Sequence, residues 1–145
     1  MSAEAQVVWR GDYLRTAASN LLTIAEAESW AGQFTEAGIT AVWLKGVPLS
    51  LSVYPDPAVR PMGDIDLLVP CAQLRQALAL VESKTGSAPA TLAEDSAMHA
   101  VFQVGGDGQV RMELQWSLLD VAGSRLGADV GWFLGQQRGM KSRCA

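Results

Sequence analysis

One histidine, two cysteines and the want of any long apolar run set the first limits on this chain of 145 residues. Cys71 and Cys144 lie far apart and match no metal-ligand spacing. His99, the only histidine, begins an apolar run, where a structural or surface role is the expectation. A Ser-His-Asp or Cys-His mechanism would need partners that the spacing does not supply. The opening M-S-A-E-A-Q-V-V-W-R has no basic segment leading into an apolar core, so it does not read as a signal peptide. No stretch approaches the ~20 apolar residues of a membrane span. A cytoplasmic protein without membrane contact is expected.

Charge is also scarce, at 18% of residues, and it is unevenly spread. Residues 1–120 hold fourteen Asp and Glu against seven Lys and Arg, while the last 25 residues hold four cations against one aspartate. A body that acidic is a poor binder of nucleic-acid backbone, which needs clustered cations. The basic tail reads as ordinary solvation. What is plentiful is apolar: 49% of residues, five of them Trp, enough for one domain with one core.

Along the chain, residues 12–37 read as a helix, with Leu14, Ala18, Leu21, Ala25 and then Trp30, Phe34 and Ala37 stepping by three and four. Gly38 ends it. I-T-A-V-W-L (39–44) is a short β-branched run, expected to be a buried strand that stops at Lys45-Gly46. Residues 48–54 suit a short helix with Pro48 in its first turn. Y-P-D-P-A-V-R-P-M-G is a loop, and D-I-D-L-L-V a second strand. Residues 71–83 form a helix with Leu74, Ala77, Leu78 and Val81 on one face. After a polar loop, two alternating runs flank G-G-D-G as a β-hairpin. The domain is then residues 1–119, with a partly unstructured tail over 120–145.

Side chains alternate along a strand, so Asp64 and Asp66 share one side of D-I-D-L-L-V, opposite Ile65 and Leu67. Aspartate is a poor strand former, and two like charges on one side need a compensating cation. Hard divalent ions such as Mg²⁺ take oxygen ligands. In V-R-M-E-L-Q-W, Val110, Met112, Leu114 and Trp116 fall on one face and Arg111, Glu113 and Gln115 on the other. Glu113 becomes a third oxygen ligand if this strand pairs beside the aspartates; otherwise the stripe faces solvent. Lys45 and Arg60 are cations within reach of a phosphate, and Gly46 permits close backbone approach at a strand-to-helix turn. Alternatively, Lys45 ends a strand at the surface and Arg60 pairs with an aspartate.

G-I-T-A-V-W-L-K-G, R-P-M-G-D-I-D-L-L-V and M-E-L-Q-W-S-L, in this order, resemble the bacterial nucleotidyltransferase family proteins of the DNA polymerase β-like superfamily. The resemblance spans residues 20–119. It implies an α/β (α+β) fold, a small mixed sheet with flanking helices, here without the C-terminal helical part that family members carry. It also implies a two-metal site for Mg²⁺, with Mn²⁺ as an alternative, formed by Asp64, Asp66 and Glu113. Lys45, Gly46, Arg60 and Gly63 would meet the nucleotide phosphates. The partners implied are a nucleoside triphosphate, ATP among them, and a hydroxyl acceptor on a small molecule or protein. Lys45-Gly46 stands where the wider superfamily has Gly-Ser, and Gln115 where this branch often has histidine. Two other readings compete: an inactive domain kept for nucleotide or protein binding, as in an antitoxin, and a sugar transferase using Asp-x-Asp. An apolar surface left by the missing helices would favour a homodimer.

Overall fold

The computed structural model describes residues 2–92, 99–106 and 109–116. The expected tail at 120–145 lies outside them. The first helix, α1 (Ala3–Glu36), begins nine residues earlier than periodicity suggests. Ser2 caps it, its hydroxyl accepting from the Ala5 N–H at 3.2 Å, and Glu4 adds a carboxylate to the first turn. The chain then runs through β1 (Val42–Leu44), α2 (Gly46–Ser52), β2 (Asp64–Leu68), α3 (Leu74–Thr85), β3 (Thr91–Leu92), β4 (His99–Val104) and β5 (Val110–Gln115). One-turn 3-10 helices stand at Pro57–Val59 and Cys71–Gln73. The two-residue β3 was not foreseen in what reads as a polar loop.

The sheet is mixed, as the resemblance implies, in the order β1-β2-β5-β4-β3. Only β2 and β5 run parallel; the other neighbours are antiparallel. A parallel pair needs a long crossover, and here α3, β3 and β4 supply it. Ile65, Leu67, Met112, Leu114 and Phe102 point to one face of the sheet, where α1 contributes Ile24, Ala27, Trp30 and Phe34 and α3 contributes Ala77 and Val81 to one core. Gly86, left-handed at φ 70°, ends α3 as a C-terminal glycine does.

One sequence expectation is reversed. The stripe Leu14, Ala18, Leu21 and Ala25 faces solvent, with Leu14 and Leu21 56% and 58% exposed. The buried face of α1 is the opposite one, through Asn20, Thr23, Ile24, Ala27, Trp30 and Phe34. Both faces are apolar enough to be read as core, and a polar residue, Asn20, sits on the inner one. Trp30 and Phe34 lie on the inner face and are buried.

Asn20 explains itself by what it holds. Its side chain is fully buried, its Nδ2 donates to the Arg60 carbonyl at 2.8 Å and its Oδ1 accepts from the Met62 N–H at 3.0 Å. Pro61 between them has no N–H to offer. The amide therefore completes the backbone hydrogen bonding of the loop that delivers Asp64, without a neighbouring strand. Replacing Asn20 by alanine strands a buried carbonyl and a buried N–H. Urea unfolding of Asn20→Ala is expected to show a loss of about 2–3 kcal/mol, and a loss below about 0.5 kcal/mol would mean that water serves the loop as well.

Candidate functional site

The register of β2 on β5 is what assembles the acidic side chains. Asp64 lies opposite Arg111, Asp66 opposite Glu113 and Leu68 opposite Gln115. Alternation thus sends Ile65, Leu67, Met112 and Leu114 into the core, and Asp64, Asp66, Arg111, Glu113 and Gln115 share the other face with the buried Leu68. One oxygen each from Asp64, Asp66 and Glu113 can be chosen so that all lie within 4.8 Å of one another.

The three carboxylates are held differently. Asp66 is only 2% exposed, and its Oδ1 accepts from the Lys45 ammonium at 2.6 Å and from Gln115 Nε2 at 2.7 Å. Among the described residues no donor reaches Asp66 Oδ2. Glu113 Oε1 is paired with Arg111 at 2.6 Å, a contact between side chains two apart on one strand. The Asp64 carboxylate makes no hydrogen bond or ion pair among the described residues. Every carboxylate therefore keeps at least one uncommitted oxygen. Three anions face two cations, Lys45 and Arg111, so the cluster carries an excess of negative charge that a further cation would offset.

Lys45 responds to this field. The hydrogen bond to Asp66 comes first, and the nearby charges of Asp66, Glu113 and Asp64 add to it; together they outweigh partial burial and raise the ammonium pKa above its usual 10.5. Its charge is thus secure at neutral pH. The stabilisation this contact gives is therefore fully present below the unfolded pKa near 10.5 and is lost as pH rises through the higher folded value. The side chain is 58% exposed, so solvent screens the pair and the ammonium can swing away.

The backbone at this residue is unusual. Lys45 has φ 53° and ψ −105°, the one positive φ at a non-glycine residue among those described. A side chain in that region is strained. The expected turn glycine, Gly46, is instead the first residue of α2, two residues before the anticipated start at Pro48. Gly46 is buried, and a Cβ there would meet Met62 side-chain atoms at 3.4 Å and Arg60 Nη1 at 3.5 Å. Arg60 thus lies against the turn, and no ion pair joins it to an aspartate among the described residues. Gly63 is exposed, with nothing within 4 Å of a notional Cβ.

Three residues gained significance only in three dimensions. Gln115 grips Asp66, which needs the β2–β5 register to foresee. Arg111 pairs with Glu113, a contact its i, i+2 spacing on a strand allows once Glu113 is in view. His99 lies opposite Gln115 in the β4–β5 pairing, on the acidic face of the sheet.

A family model described as an uncharacterised nucleotidyltransferase matches residues 1–139, and the chain belongs to that family. No curated protein and no solved structure matches it.

The strain at Lys45 can be isolated from its charge. Lys45→Ala and Lys45→Gly both remove the ammonium, but only glycine adopts positive φ freely. Lys45→Gly is expected to be more stable than Lys45→Ala by about 1 kcal/mol in chemical denaturation. Equal stabilities would show that this turn is not strained.

Proposed function

We propose that this member of the nucleotidyltransferase family transfers a nucleoside monophosphate from a nucleoside triphosphate to a hydroxyl acceptor, releasing pyrophosphate. One observation carries the reading: three carboxylates converge on one face, each with an oxygen left over after its internal partners are counted. Such a set of hard oxygen donors fits Mg²⁺ or Mn²⁺ and leaves positions for phosphate and water. Asp64, Asp66 and Glu113 would hold the ions of a two-metal site. Bound there, the metal would polarise the triphosphate and offset charge on the attacking and leaving oxygens.

The chain's own residues then divide the remaining work. Gln115 keeps Asp66 Oδ1 fixed, which directs Oδ2 to the ligand side. Lys45 neutralises Asp66 before substrate arrives and, being largely exposed, turns to the triphosphate when it binds. Arg60, packed against the buried Gly46 turn, is a second cation for the phosphates, and the exposed Gly63 leaves the backbone open to them. Glu113 takes the proton of the acceptor hydroxyl on its uncommitted oxygen, while Arg111 orients the other. The acceptor oxygen bonds to the α-phosphorus as the bond to the bridging oxygen breaks, and pyrophosphate leaves with that electron pair.

Labelled ATP, GTP, CTP and UTP should be titrated into the full chain with Mg²⁺ and with chelator. At least one is expected to bind only with Mg²⁺, and Asp66→Asn should weaken that binding at least ~30-fold. Binding of no triphosphate, or binding indifferent to both chelator and Asp66, would refute the proposal. For the acceptor step, Glu113→Gln should lower pyrophosphate release at saturating triphosphate by ~10²–10⁴-fold. Full turnover in Glu113→Gln would remove it from the proton transfer.

A further inference from the structure

The outward face of α1 is apolar without serving the core that the described residues form. Val7, Leu14, Leu21 and Leu22 are 72%, 56%, 58% and 69% exposed, and Ala18 and Ala25 are exposed with them. The large residues Val7, Leu14 and Leu21 recur every seven positions. Small residues, Gly11, Ala18 and Ala25, recur at the same interval four positions later. This is the repeat of a helix–helix seam, about 27 Å long from Val7 to Ala25 at 1.5 Å per residue. Two glycines in a helix interior, Gly11 and Gly32, weaken the helix relative to alanine. A Cβ at either would meet no atom of the described residues within 4 Å, so packing among the described residues gives no reason for them.

We infer that this face is the interface of a homodimer in which two α1 helices pack antiparallel, with the two-fold axis level with the Ser19–Asn20 peptide. That register sets large against small throughout. Leu14 meets the partner's Ala25, Ala18 meets the partner's Leu21, and Val7 meets the partner's Gly32. Both glycines then have a use, since they let the backbones approach closely. Charge agrees with shape. Arg10 and Glu28 are exposed, lie on the same flank of the seam and have no partner among the described residues. In an antiparallel pair like flanks meet, so each Arg10 comes beside the partner's Glu28, and the contact occurs twice. A parallel pair would set leucine against leucine and, because unlike flanks then meet, would keep Arg10 and Glu28 of the two helices apart. The inference does not depend on nucleotidyl transfer, because α1 presents this face away from the sheet that carries the acidic side chains.

Sedimentation equilibrium of the full chain tests it. The wild type is expected to be a dimer at micromolar concentration. Leu21→Glu, exposed in the single chain and so compatible with folding by circular dichroism, should weaken dimerisation at least ~100-fold. The register is tested by charge. Arg10→Glu and Glu28→Arg should each weaken the dimer ~5- to 10-fold, and the double variant should return to within ~3-fold of wild type. A monomeric wild type at ~200 µM would overturn the inference, leaving the face to some other partner. A dimer indifferent to Leu21→Glu would place the interface elsewhere, and a double variant weaker than either single one would overturn the antiparallel register.

Discussion

The parallel pairing of β2 with β5 is the constraint on which the rest of the structure depends. It joins strands separated by α3, β3 and β4, and so closes the core over one face of the sheet while drawing Glu113 to Asp66 on the other. A slip of one residue would turn Glu113 inward and Met112 outward, losing core and acidic cluster together. The apolar side chains Ile65, Leu67, Met112 and Leu114 are fully buried, and each is worth roughly 1.5–3 kcal/mol against exposure. Hydrophobic packing on one face therefore fixes the register that concentrates negative charge on the other.

That concentration has to be tolerated while the protein folds without ligand. Lys45 and Gln115 both address Asp66, the most buried of the three acids, and Arg111 addresses Glu113. Asp64, nearer the strand end, is left to solvent or to a ligand. The strained backbone of Lys45 aims its ammonium at Asp66, which gives a physical reason for a lysine where a glycine would sit more easily. Asn20 does similar service from behind, fastening the loop before Asp64 to the long helix.

Much of this was legible in the sequence. Alternation in D-I-D-L-L-V and V-R-M-E-L-Q-W assigned the acidic residues to one side of each strand, because a period of two leaves little freedom once the apolar side is buried. The element order apart from β3 also followed, and the family resemblance implied the mixed sheet with flanking helices. The face of α1 did not, since Leu14, Ala18, Leu21 and Ala25 carry as good a helical period as the true core stripe, and periodicity cannot tell an inner seam from an outer one. The grips of Gln115 on Asp66 and Asn20 on the 60–62 loop join residues forty or more apart, and no local pattern encodes them. The start of α2 was missed because Lys45, not Gly46, takes the positive φ.

If Lys45 holds the place of a cation at Asp66, it must compete with one. Manganese affinity, read by electron paramagnetic resonance without nucleotide, should be measured for the wild type and for Lys45→Met. Removing a positive charge a few ångströms from the site should tighten Mn²⁺ binding ~5- to 10-fold. Unchanged or weaker binding in Lys45→Met, or no binding by either protein at millimolar Mn²⁺, would contradict a divalent site at Asp64, Asp66 and Glu113 guarded by Lys45.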